Sequence, residues 1–231
     1  MKKFVGYYHY GVILTYLSIA AAIVGICLSV VGYPFWGGVI CLIISGNCDA
    51  FDGAVARTRK NRTIEDKMFG SKIDSLSDVI AFGVAPVMIG YGMGMREWYY
   101  IVVFVLYVLC AVCRLAYFDI EEDLRMQRGD TGRREFCYGL PVTSSAAAVP
   151  VTYLVAVMFR NLEGLVQSLV PKLLMCACYV LIGFLMVFKF KMIKPRTKWV
   201  FVIVISFGLL CLALTLINIF VIDGSVNYVI P

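Results

Sequence analysis

Four aspartates in two pairs are the residues of this sequence best placed to do chemistry. Asp49 and Asp52 are spaced i,i+3 in "GNCDAFDGAVART", and Asp74 and Asp78 are spaced i,i+4 in "FGSKIDSLSDVIAFGVAP". On helices, each pair shares one face. The stretches between them are short enough for two antiparallel helices to turn both acidic faces toward each other. Hard carboxylate oxygens suit magnesium, manganese or calcium, and two such ions about 3.5–4 Å apart are a recurring device for phosphoryl and phosphodiester chemistry. A carboxylate inside a bilayer costs about 2.5–3.5 kcal/mol on insertion scales, so four together demand compensation. The competing reading pairs each acid singly with Arg57, Lys67 or Lys72. Two face-matched pairs favour bound cations over four separate ion pairs.

The neighbours of the acids are small. Gly53 follows Asp52, and Gly46 and Gly70 lie one turn from Asp49 and Asp74. Glycine inside a helix costs about 0.8–1 kcal/mol relative to alanine, so its placement here points to a close helix contact or a packed nucleotide. Ala56 keeps the same face open one turn later, and Arg57 offers a charged fork for phosphate.

The elements that must position these groups are membrane helices. The chain has 231 residues, 61% of them hydrophobic, and a mean hydropathy of +0.85. Its apolar runs approach the roughly 20 residues that cross a bilayer and lack the period-two alternation of barrel strands. We expect an all-α, polytopic transmembrane bundle with spans near 11–32, 35–57, 71–93, 97–118, 141–159, 171–190 and 199–221, about seven in all, forming a single membrane-embedded domain over 1–231. The first apolar stretch is too long for a signal-peptide core and is read as a span. With the N-terminus in the cytoplasm, all of the 21 Lys and Arg except Arg96, Arg160 and Lys172 fall at cytoplasmic ends, as the positive-inside rule requires. The acids then face the cytoplasm. The net charge of +6 needs no nucleic acid, because "TRKNR" and "KFKMIKPRTK" are juxtamembrane clusters of the kind drawn to anionic lipid. Nine cysteines and the lone His9 lack zinc-site spacing and read as packing and interfacial residues.

Asp49, Asp52, Gly53, Ala56, Arg57, Gly70, Asp74 and Asp78 together match D-x-x-D-G-x-x-A-R…G-x-x-x-D-x-x-x-D, and in this the chain resembles the CDP-alcohol phosphotransferase family. The resemblance implies a six-helix membrane core and an enzyme that displaces CMP from a CDP-linked lipid with an alcohol. It also implies a divalent cofactor, Mg2+ or Mn2+, at a two-metal site, held by Asp49, Asp52, Asp74 and Asp78, with Asp78 as general base. Asp52, Gly53, Ala56, Arg57 and Gly70 would contact CDP, and the protein would be a homodimer. One departure is the twelve-residue stretch "TRKNRTIEDKMF" between Arg57 and Gly70, where the family has eight. Contacts from that loop are therefore not transferred.

The acceptor is read from other stretches. "DSLSDVIAFGVAP", "CRLAYF" and "FCYGLPVTSSAAA" resemble the serine-specific branch of the family, prokaryotic membrane enzymes that use CDP-diacylglycerol and L-serine. Arg114 is the candidate to hold the serine carboxylate or a phosphate, against a structural ion pair as its other reading. Arg133 and Arg134 fit a solvated patch better than a contact. Thr143, Ser144 and Ser145 fit helix capping better than the lining of a site. The alternatives are transfer to glycerol phosphate or an inositol and, from another class, a cation transporter. Transport predicts paired interrupted helices and inverted repeats, which the sequence lacks.

Overall fold

The computed structural model describes residues 12–58, 63–128, 136–158 and 165–193. The expected span at 199–221, Arg133 and Arg134 lie outside the described residues. Among the described residues there are seven α-helices: α1 (Ile13–Val31), α2 (Ile40–Thr58), α3 (Ile64–Asp78), α4 (Ala85–Gly92), α5 (Trp98–Gln127), α6 (Ser145–Met158) and α7 (Leu165–Val187). Four helical stretches among these residues are long and apolar enough to cross a membrane: Ile13–Val31, Met68–Gly92, Trp98–Arg125 and Leu169–Val187. α6 is a shorter apolar helix, and α2, which carries Asp49, Asp52 and Arg57, falls outside that set. The bundle is that of an all-α membrane protein.

α1 is sided in a way opposite to a soluble helix. Its buried residues are Thr15, Ser18, Ala22, Gly25 and Ser29, while Ile13, Leu17, Ile23, Val24 and Leu28 are exposed. Large apolar side chains gain nothing by leaving lipid, so helix contacts in a bilayer favour small residues that let backbones approach. The stripe packs on α2 and α4. Two hydroxyls reinforce it, with Ser18 Oγ and Ser45 Oγ 2.6 Å apart and Ser45 Oγ donating to the Ser18 carbonyl at 3.1 Å.

α3 and α4 form one rod, joined by a π-helical turn over Val79–Val84. Pro86 explains the joint. It has no N–H to donate, and its ring crowds the carbonyl four residues earlier, that of Phe82. Widening the turn relieves the crowding, and the Ala85 N–H reaches back to the Ile80 carbonyl. The Phe82 carbonyl then accepts from Tyr107 Oη at 2.8 Å and from Ser145 Oγ at 3.2 Å. The Pro86 carbonyl accepts from Tyr179 Oη at 2.6 Å. Tyr107 and Tyr179 also meet edge to face, with ring centroids 5.4 Å apart. A Cβ on Gly83 would lie 3.6 Å from that of Ala111, an ordinary contact distance.

The long gap before Gly70 is partly helix. Thr63 caps α3 with a reciprocal box: its Oγ1 accepts from the Asp66 N–H at 3.1 Å, and Asp66 Oδ2 accepts from the Thr63 N–H at 3.3 Å. Only 59–62 in this connection lie outside the described residues. One departure from pure helix is a short antiparallel pairing of β1 (Phe136–Tyr138) with β2 (Lys191–Ile193), Tyr138 opposite Lys191. It returns the chain at Gly139, whose φ of +71° brings its backbone so near the Met186 carbonyl that a Cβ there would lie 2.9 Å from that oxygen.

Candidate active site

α2 and α3 follow one another in sequence and both pack on α1, and their acidic faces meet beside it. Asp49 from α2 and Asp74 and Asp78 from α3 place carboxylate oxygens within 4.8 Å of one another. Asp78 is buried and the other two are half-buried. Like charges at 4.8 Å repel by about 3–4 kcal/mol per pair at an effective dielectric of about 20, so the group is unstable as three bare anions. Among the described residues no Lys or Arg forms an ion pair with Asp49, Asp52, Asp74 or Asp78. Lys72, one of the three cations that could have neutralised them, turns to α5 instead, reaching Asp123 at 2.9 Å and Asp119 at 3.4 Å. Clustered, hard and half-buried oxygen donors fit a divalent cation.

Asp52 lies one turn along α2, within hydrogen-bond reach of Asp74. Its Oδ2 accepts from Thr15 Oγ1 on α1 at 3.3 Å. Gly53 continues the same helix, and Gly70 precedes Asp74 by one turn of α3. Ala56 and Arg57 belong to α2, and their side chains lie outside the described residues. Gly46 has a definite role: a Cβ there would lie 2.7 Å from the Ala146 Cβ of α6. The glycine one turn before Asp49 thus serves a close helix contact.

Arg114 belongs to α5. It is 7% exposed, its Nε donates to the Leu140 carbonyl at 3.1 Å, and its guanidinium lies 6.0 Å from the Phe118 ring centre. It lines a cleft of about 240 Å3 with Tyr117, Tyr138, Gly139 and Lys189. Two cationic side chains, Arg114 and Lys189, stand there among three aromatic rings and an otherwise mostly apolar lining. Ser144 Oγ donates to the Pro141 carbonyl at 2.7 Å, and Ser145 is committed to Phe82, so both hydroxyls shape the turn and the rod.

Two features of the site carry no strong sequence signal. Thr15 reaches an acid from a helix that reads as a plain apolar span. Asp119 accepts from Ser75 Oγ at 2.6 Å and joins α3 to α5 directly behind Asp74. The one available signal for Thr15 is its place in the small-residue stripe of α1.

Comparison with known proteins places the chain in a family. Residues 8–210 match the family model described as CDP-alcohol phosphatidyltransferase. The chain is 35% identical over 108 residues to the CDP-diacylglycerol–serine O-phosphatidyltransferase of Saccharomyces cerevisiae, covering 46% of this chain and 38% of that protein. It is 33% identical over 144 residues to the archaetidylserine synthase of Methanothermobacter thermautotrophicus, covering 62% of this chain and 56% of that protein. A third relative, the CDP-diacylglycerol–serine O-phosphatidyltransferase of Helicobacter pylori, is 33% identical over 182 residues, covering 74% and 67% of the two chains. The chain thus spans between about a third and two thirds of the length of these relatives.

Proposed function

The chain belongs to the CDP-alcohol phosphatidyltransferase family, and on that premise we propose that it transfers the phosphatidyl group of CDP-diacylglycerol to the hydroxyl of L-serine and releases CMP. The observation that carries this reading is the convergence of Asp49, Asp74 and Asp78 within 4.8 Å, together with relatives named for serine transfer.

In this reading Asp49, Asp52, Asp74 and Asp78 hold two divalent cations, Mg2+ or Mn2+. When bound, such cations supply Lewis-acid polarisation of the phosphoryl oxygens and neutralise charge on the departing CMP. Asp78 receives the proton of the serine hydroxyl as the serine oxygen bonds to the β-phosphorus and the bond from that phosphorus to CMP breaks. Its burial beside the π-helical turn keeps water from competing for the same carboxylate. Gly53, Ala56, Arg57 and Gly70 border the CDP, and Arg114 holds the serine carboxylate or a phosphate in its cleft. The diacylglycerol tails remain in the bilayer, and the site opens to the cytoplasm of a prokaryotic cell. A single domain and a homodimer complete the reading, the dimer resting on family resemblance alone.

The test is CMP release by purified protein from CDP-diacylglycerol, offered L-serine, glycerol 3-phosphate or inositol phosphate with Mn2+ or Mg2+. Serine-dependent release is expected. Release with glycerol 3-phosphate and none with serine would reject the acceptor. A single in-line displacement inverts configuration at phosphorus, and retention in a stereochemical assay contradicts it.

A further inference from the structure

We propose that Thr15 of α1 is a positioning residue for the acidic site, orienting the carboxylate of Asp52 toward the cation. The inference rests on the cation reading given above and extends it to a helix without an acid of its own.

Three observations carry it. Thr15 is buried, at 4% exposed, and its Oγ1 donates sideways to Asp52 Oδ2 across 37 residues of chain, at 3.3 Å. Thr15 lies in the first turn of α1. Here the proton goes to a neighbouring helix. The Thr15 carbonyl in turn accepts from Ser77 Oγ at 3.5 Å, and Ser77 is the residue before Asp78. Thr15 therefore touches α2 through its side chain and α3 through its backbone, at the level where the two acid pairs face each other. One turn along α1, the Ser18 and Ser45 hydroxyls fix the rotation of α1 against α2.

The chemistry follows from the donor. A neutral hydroxyl takes one lone pair of Oδ2 and leaves Asp52 its negative charge and its second oxygen. Hydrogen bonds of this kind around ligating carboxylates orient them, and their loss typically lowers metal affinity or activity 10–100-fold. Valine matches threonine in shape and lacks the donor, whereas serine keeps the donor and loses a methyl. That contrast separates orientation from packing.

The experiment measures Mn2+ binding to purified full-length protein in detergent without substrate, from the free-Mn2+ electron paramagnetic resonance signal. The cation concentration for half-maximal CMP release is measured in parallel. Thr15→Val is expected to weaken Mn2+ binding about 10–100-fold and to shift the half-maximal cation concentration likewise, with turnover recovering at saturating cation. Thr15→Ser is expected to restore both. Ser29→Ala, which removes a buried hydroxyl bonded within α1 at its other end, is expected to leave Mn2+ binding unchanged. Should Thr15→Val fail to fold, Thr15→Cys, with a weaker donor of similar size, is expected to bind Mn2+ more weakly than Thr15→Ser. Wild-type Mn2+ binding in Thr15→Val, or equal binding by the serine and cysteine variants, overturns the role of Thr15 alone. Absence of Mn2+ binding in the unsubstituted protein overturns the cation reading as well.

Discussion

Two polar centres lie about one helical turn apart on the rod formed by α3, the π-helical turn and α4, and they are built in opposite ways. At Phe82 and Pro86 two carbonyls, the first of them freed by the proline, meet Tyr107, Ser145 and Tyr179, so that acceptors face donors. At Asp49, Asp74 and Asp78 acceptors face acceptors. The first centre is closed by the protein and stabilises the fold. Among the described residues the second has no basic partner, and its neighbour Lys72 is engaged with α5. Burial of polar groups in a membrane bundle is therefore not one phenomenon. Whether the partners within the bundle are complementary separates a structural network from a site.

Substitutions in the two centres should part accordingly, and the largest effect belongs to the open one. Asp78→Asn is expected to lower CMP release about 10²–10⁴-fold, the range of a lost general base, while retaining much of the nucleotide binding. Full activity would remove Asp78 from that role. In the closed centre, Tyr179→Phe removes the hydroxyl that donates to the Pro86 carbonyl and is expected to cost about 0.5–1.5 kcal/mol in thermal unfolding, with turnover per folded molecule kept. A loss of turnover without a loss of stability would erase the distinction. Between the centres, Gly46→Ala is expected to destabilise by about 1–3 kcal/mol through overpacking against Ala146, and the added Ala146→Gly should recover it. The smallest effect is expected for Lys72→Met. Lys72 is 42% exposed, so its pairs with Asp119 and Asp123 should be worth less than about 1 kcal/mol. The cation requirement should not move, and a shift in it would make Lys72 a counter-ion of the acids after all.

The open centre was largely legible in the sequence, because its information is local. Spacings of three and four residues fix which carboxylates share a face, and a connection of a few residues between two helices brings those faces together. The expected second and third spans, 35–57 and 71–93, match the helical stretches Pro34–Thr58 and Met68–Gly92 in position, and only the second of these is apolar enough to cross a membrane. What sequence does not carry is which distant element touches an acid. Thr15 and Asp119 reach the site through packing, across 37 residues to Asp52 and 44 residues to Ser75. The π-helical turn was equally hidden: Pro86 announces a disturbance, but its relief depends on donors from α5, α6 and α7. Gly46 shows the converse limit, since a glycine beside an acid can serve nucleotide or helix, and only Ala146 decides between them.

The account turns on the claim that the acidic group functions only with cations from outside the chain. Its most direct test is CMP release from CDP-diacylglycerol and L-serine by protein stripped of metal with a chelator, before and after Mn2+ or Mg2+ is returned. The account predicts no release from the stripped protein and serine-dependent release once cation is restored. Undiminished release by the stripped protein would contradict it.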